Sequence, residues 1–206
     1  MLDTTNPCNG YKETTVSSDS GGGSSLNLSL PGFPLPGNQL EKHQNYVKWF
    51  IKYAGMYNID WRWLAALSWV ETKWKPEYKE DIIGLFQYSQ KDHNSRFNVR
   101  SDEQQTAFAA LDFHTAMDKA KKNGLSNTED QCLYAAISHN AGVAGAKWAL
   151  DEANPKSISS MCNVLLNGYR QRWGVGSNKE KAEYPIKVKK AYDDICSRYS
   201  INPNKK

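Results

Sequence analysis

No stretch of this chain approaches the ~18–20 consecutive apolar residues that a membrane-spanning helix needs, so no membrane span is expected. No run alternates apolar and polar residues long enough to specify an extended sheet, and no internal period repeats, which argues against sandwiches, barrels and solenoids. Cysteine is scarce. Cys8, Cys132, Cys162 and Cys196 form no C-x-x-C pair and none stands at zinc spacing with histidine. They read as free core thiols, with a Cys162–Cys196 bridge as the alternative. Neither sign of charge dominates: 26 Lys and Arg face 22 Asp and Glu, a net charge of +4. Residues 1–40 hold one lysine against three acids, so residues 41–206 carry +6. That mild excess suits an anionic polymer, nucleic acid or cell wall, without choosing between them. The opening MLDTTNPCNGYKETT lacks the basic and apolar regions of a secretory signal peptide, so the expectation is that any action outside the cytoplasm uses another route.

The composition, 39% hydrophobic and 23% charged, is that of a packed domain. Residues 1–40 differ from the rest. SSDSGGGSS (17–25) and LPGFPLPGN (30–38) are Gly, Ser and Pro rich, a flexible arm or a partner-docking segment. From residue 41 to 206 the pattern is helical. Val47, Phe50, Ile51 and Ala54 keep helical spacing, and Asp60 is a candidate N-cap for a helix over 61–74 that Pro76 stops. Residues 76–100 read as loop with short helical turns. Ser101-x-x-Gln104 and Thr128-x-x-Gln131 fit capping boxes for two further helices, the first stopping at Asn123-Gly124. Helices over about 158–166 and 180–199 complete a mainly α domain. Basic, aromatic KDHNSRFNVR (91–100) reads as a solvated loop rather than a nucleic-acid contact.

One acid is out of place. Glu71 lies in WRWLAALSWVETKW (61–74), a stretch apolar almost all round. Burying an ionised carboxylate costs several kcal/mol unless it is paired, so a protonated carboxyl is expected, which is what a general acid needs. Trp74, three residues on and on the same face, is a candidate groove-lining ring, whereas Trp49, Trp61 and Trp63 read as core. GLFQ (84–87) follows, and then SHNAG (138–142).

Taken in order, Glu71-Thr72, Gly84-Leu85-Phe86-Gln87, Ser138-His139-Asn140-Ala141-Gly142 and Tyr184 in EYPIKV resemble the soluble lytic transglycosylase family of the lysozyme-like superfamily, over roughly residues 45–195. The resemblance implies a lysozyme-like, goose-type helical domain with a central catalytic helix. It implies cleavage of the β-1,4 bond between N-acetylmuramic acid and N-acetylglucosamine of peptidoglycan, with Glu71 as acid and then base, leaving a 1,6-anhydromuramoyl end. Thr72 would orient Glu71, Gln87 and Asn140 would bind sugar, Gly84 and Gly142 would allow close backbone approach, and Tyr184 would set its hydroxyl near Glu71. No metal or cofactor is implied. The chain departs from the family pattern at Phe86, which stands for Met, at His139, which stands for Tyr, and at Pro185, which stands for Val. A goose-type lysozyme hydrolase would carry an Asp two residues after the Gly-Leu-Met-Gln motif, where this chain has Ser89, so transglycosylase is the first reading and hydrolase the second. A catalytically decayed wall-binding or virion structural module is a third. The Gly/Ser/Pro arm suggests docking to a phage virion, tail or secretion-machinery protein, with delivery to the bacterial periplasm and wall.

Overall fold

A computed structural model describes the backbone of residues 40–198 and the side chains of residues 43–196. The arm expected over residues 1–40 lies outside the described residues, except that Leu40 begins the first helix. Among the described residues the chain forms seven helices and one short ribbon: α1 (Leu40–Gly55), α2 (Trp61–Thr72), β1 (Ile82–Ile83), β2 (Tyr88–Ser89), α3 (Gln90–His93), α4 (Asp102–Lys122), α5 (Thr128–Glu152), α6 (Ile158–Trp173) and α7 (Asn178–Arg198). The domain is mainly α, as expected for a lysozyme-like helical fold. Among the described residues no helix is long and apolar enough to cross a membrane.

The apolar stripe of α1 buries Val47, Phe50 and Ala54. Its polar side is tied to the start of α4: Tyr46 donates to Asp102 Oδ2 at 2.8 Å and Tyr53 to Glu103 Oε1 at 2.8 Å. The helix α2 is the hub, packed on α1, α4 and α7. Asp60 caps it by accepting from Arg62 N at 3.1 Å, and the same carboxylate grips the Arg62 guanidinium and accepts from Tyr192 of α7. Trp63 stacks on Tyr192 at 3.9 Å between centroids, closing α2 against α7. Residues 64–67 are fully buried, and each buried leucine there contributes about 1.5–3 kcal/mol over exposure.

Several boundaries differ from the sequence expectation, each for a physical reason. The second helix stops at Thr72 rather than Trp74, because Lys73 (φ 53°) and Trp74 (φ 56°) both take left-handed backbone. That reversal folds Trp74 under its own helix, where the indole N–H donates to Ser68 Oγ at 3.1 Å and Ala65 O at 3.3 Å. Trp74 is therefore core, 3% exposed, and not a groove ring. The cap of α5 is Asn127, which accepts from Asp130 N at 2.7 Å, and Gln131 turns back to Leu125 O; Thr128 is already helical. In α4 Ser101 caps as expected, yet Gln104 reaches Asn98 N instead of closing the box. The α6 helix runs through Gly168 to Trp173, since the stop is Gly174 (φ 71°); the missing Cβ at Gly168 makes room for the Trp148 ring. In the 91–100 loop Phe97 stacks on Phe108 at 4.5 Å, so that aromatic packs inward. Cys132 is buried and Cys162 half-buried, both as free thiols.

Candidate active site

Glu71 is the penultimate residue of α2 and its side chain is 16% exposed. It is not alone in an apolar pocket. The Tyr184 hydroxyl of α7 donates a short hydrogen bond to Glu71 Oε1. His139 of α5 places Nε2 3.6 Å from the same oxygen, longer than a hydrogen bond. The imidazole lies edge-on to the Tyr88 ring of β2 at 5.5 Å and roughly parallel to the Tyr184 ring at 6.5 Å. Three helices and the ribbon thus converge on one carboxylate. Tyr184 is held well above the ordinary phenol range, first by burial and then by the Glu71 charge and hydrogen bond, so it remains a donor. The Pro185 departure leaves this contact in place; α7 continues through it.

The GLFQ segment is the tight turn between β1 and β2, whose register pairs Ile82 with Ser89 and Ile83 with Tyr88. Leu85 and Phe86 are fully buried, so Phe86 fills the family's Met position as core. The turn is locked by Gln105 of α4, itself fully buried. Gln105 Nε2 donates to Val99 O at 2.6 Å and Ile83 O at 3.0 Å, and its Oε1 accepts from Phe86 N at 2.9 Å. Gly84 has φ 78°, and a Cβ there would sit 1.8 Å from Gln105 Nε2. This amide and the positive φ both favour glycine at position 84. Gln87 has φ 54° and returns its amide N–H to Gly84 O at 2.8 Å. Thr72 donates to Ser68 O at 3.1 Å and approaches Leu85 O at 3.4 Å. Its hydroxyl therefore fastens the end of α2, and with it the backbone that carries Glu71, to the turn.

Asn140 stands beside His139. Its Nδ2 lies 3.4 Å from Glu180 Oε1, its backbone oxygen accepts from Lys181 Nζ at 2.8 Å, and its Oδ1 is buried with no partner among the described residues. Gly142 (φ 75°, ψ 158°) breaks α5. A Cβ there would meet no protein atom, and the backbone angle itself favours glycine. The kink leaves Ala141 O to accept from Tyr169 at 3.1 Å. Tyr88 is 6% exposed, and its buried hydroxyl is likewise without a partner among the described residues.

Sequence reasoning missed Gln105 and Tyr88. A glutamine inside a helix carries no signal of partners 19 and 22 positions away, whereas Tyr88 directly follows the GLFQ motif. Among the described residues no three His, Cys, Asp or Glu side chains converge as a metal site. A separate cleft of about 600 Å3, with Trp148, Asn163 and Asn167 in its lining, shares no residue with the Glu71 cluster.

No family model matches the chain. It is similar to the membrane-bound lytic murein transglycosylase F of Pseudomonas putida strains W619 and GB-1, 23% identical to each over 162 residues, covering 72% of this chain and 33% of the relative. The similarity to lytic murein transglycosylases is distant. The chain spans about a third of the length of the curated relatives it matches.

Proposed function

We propose that this chain is a peptidoglycan lytic transglycosylase domain. Glu71 protonates the glycosidic oxygen between N-acetylmuramic acid and N-acetylglucosamine, and the resulting carboxylate then takes the proton of the muramoyl C6 hydroxyl. The anomeric carbon–oxygen bond breaks, the N-acetylglucosamine leaves as the alcohol, and the C6 oxygen closes on the anomeric carbon, giving a 1,6-anhydro end and consuming no water. The observation that carries the reading is the meeting of Glu71, Tyr184 and His139, supplied by three separate motifs, at one carboxylate oxygen. The names of the relatives support the same substrate class. In this scheme Tyr184 stabilises the carboxylate left after proton donation. The unpartnered Asn140 Oδ1 accepts from a substrate N–H or O–H, and Gln87 Oε1, left over when its N–H closes the turn, serves a second sugar contact. Docking of residues 1–40 to a phage tail or secretion-machinery protein at the bacterial wall belongs to this proposal and rests on their Gly/Ser/Pro composition alone.

The test is digestion of purified peptidoglycan by the native chain and by Glu71→Gln, with products read by mass spectrometry. Anhydromuramoyl ends from the native chain, absent with the variant, support the reading. Reducing ends alone would assign a lysozyme-type hydrolase, and wall binding without cleavage would assign a binding module.

A further inference from the structure

We propose that the cleft between α5 and α6 is a second glycan site: it binds N-acetylglucosamine units of the peptidoglycan strand away from Glu71 and keeps the polymer on the domain while bonds are cut. The identity of the polymer rests on the reading of the chain as a transglycosylase. The site itself rests on the side chains that line it.

The cleft holds about 600 Å3, within the roughly 300–1,000 Å3 of small-molecule sites. Trp148 and Glu152 come to it from α5, Asn154 from the connection, and Asn163, Asn167 and Gly168 from α6. Asn163 and Asn167 stand four residues apart, so their amides project from one helix face. Neither is spent on capping, since Ser157 caps α6. None of the three asparagine amides hydrogen-bonds to another described residue. Asparagine and glycine both weaken a helix interior relative to alanine, yet α6 gathers two asparagines and a glycine along this cleft. At Gly168 the return is visible: a Cβ there would lie 3.0 Å from Trp148 Cη2 and 3.3 Å from Cζ2. Its absence lets the half-buried indole lie against α6. The Arg172 guanidinium, which does not line the cleft, stands 5.4 Å over the same ring and braces it.

This lining selects its ligand. The Trp148 ring offers an apolar surface to the C–H face of a pyranose. Each asparagine offers a carbonyl oxygen and an NH2 group, the complement of the N–H and C=O of an N-acetyl group and of sugar hydroxyls. Glu152 is the one charged side chain in the lining, and no lysine, arginine or histidine among the described residues joins it there. Phosphates and other anions therefore find no counter-charge, whereas a neutral N-acetylated sugar finds both donors and acceptors. Placement suits a polymer. The α5 segment before the Gly142 break carries His139 and Asn140, and the segment beyond it carries Trp148. One helix thus serves both sites, and a strand held in the cleft is presented to Glu71 at raised effective concentration.

Two readouts test this on the full chain. In the first, tri-N-acetylchitotriose is titrated into the native chain and followed by NMR at the Trp148 indole N–H and the Asn163 and Asn167 side-chain amides, each assigned by its absence in Trp148→Phe, Asn163→Ala or Asn167→Ala. Saturable shifts are expected, and none with cellotriose, which lacks N-acetyl groups. Signals that stay put up to about 10 mM trimer, or that move equally with cellotriose, overturn the proposal. In the second, kcat and KM are measured on peptidoglycan for Asn163→Ala/Asn167→Ala, with circular dichroism as the check of folding; both asparagines are exposed, and Asn167→Ala alone serves should the pair fail to fold. KM rises about 3–10-fold with kcat within about twofold of native; an unchanged KM, or a fall in kcat alone, overturns the proposal. Native chain that leaves peptidoglycan uncleaved would sink the functional reading instead, and the NMR titration still decides whether the cleft binds the sugar.

Discussion

Gly84 and Gln105 make a cycle whose outcome can be worked from distances. Gly84→Ala puts a Cβ 1.8 Å from Gln105 Nε2, 2.5 Å from its Cδ and 2.7 Å from its Oε1. An amide at the end of a side chain could swing away, but this one is held by three hydrogen bonds, to Ile83, Val99 and Phe86. Moving it abandons them. The positive φ adds about 1 kcal/mol and the overlap about 1–3, so Gly84→Ala destabilises by roughly 2–4 kcal/mol. Gln105→Ala leaves three buried backbone groups unpaired and opens a cavity, a loss of about 3–5 kcal/mol. In the double variant the overlap has no partner, so only the φ term remains for the second substitution. The two losses therefore sum to less than their parts by about 1–3 kcal/mol. Urea unfolding of the four proteins, with unchanged slope, measures the coupling. Additivity within about 0.5 kcal/mol would refute the idea that this glutamine is why position 84 is glycine.

Other consequences follow from the same contacts. Tyr184→Phe removes the hydroxyl on Glu71 and lowers kcat by roughly 10–100-fold with KM little changed; peptidoglycan-clearing rates within twofold of native would exclude a catalytic hydroxyl. Asp60→Ala strips the α2 cap and removes the carboxylate that grips the buried Arg62, a loss of about 2–4 kcal/mol in urea unfolding; Asp60→Asn, which keeps a capping oxygen, loses less. Burial holds Tyr88 and Tyr184 well above the ordinary phenol range. The unfolded phenols release protons from about pH 10 while the folded ones retain theirs, so stability contributed by these groups is intact below about pH 10 and falls above it. Phenolate absorbance should rise for them only with loss of helical circular dichroism, and ionisation in an intact fold would contradict this.

Glu71 was legible as an acid in an apolar helix, whereas the GLFQ, SHNAG and Tyr184 motifs were legible through their resemblance, in order and spacing, to a known family. The helical class was legible because Val47, Phe50 and Ala54 keep their spacing and Asp60 caps as its type prefers. What escaped depends on distant partners or on unusual backbone. Nothing local in Lys73 or Trp74 announces a left-handed pair. Thr72 had two competing acceptors, and the helix carbonyl of Ser68 lay nearer than that of Leu85. Asn127 outcompeted its neighbour Thr128 because it is the better cap. A ribbon of two residues per strand is too short for alternation to reveal. His139 could be seen as a departure, but only the fold shows that it faces the one carboxylate that matters.

The most direct measurement remains the chemistry of the cut ends. Mass spectrometry of peptidoglycan digested by the native chain should show 1,6-anhydromuramoyl termini that vanish with Glu71→Gln. Equal digestion by that variant, or glycan left whole by the native chain, would contradict the assignment of Glu71 as the proton donor.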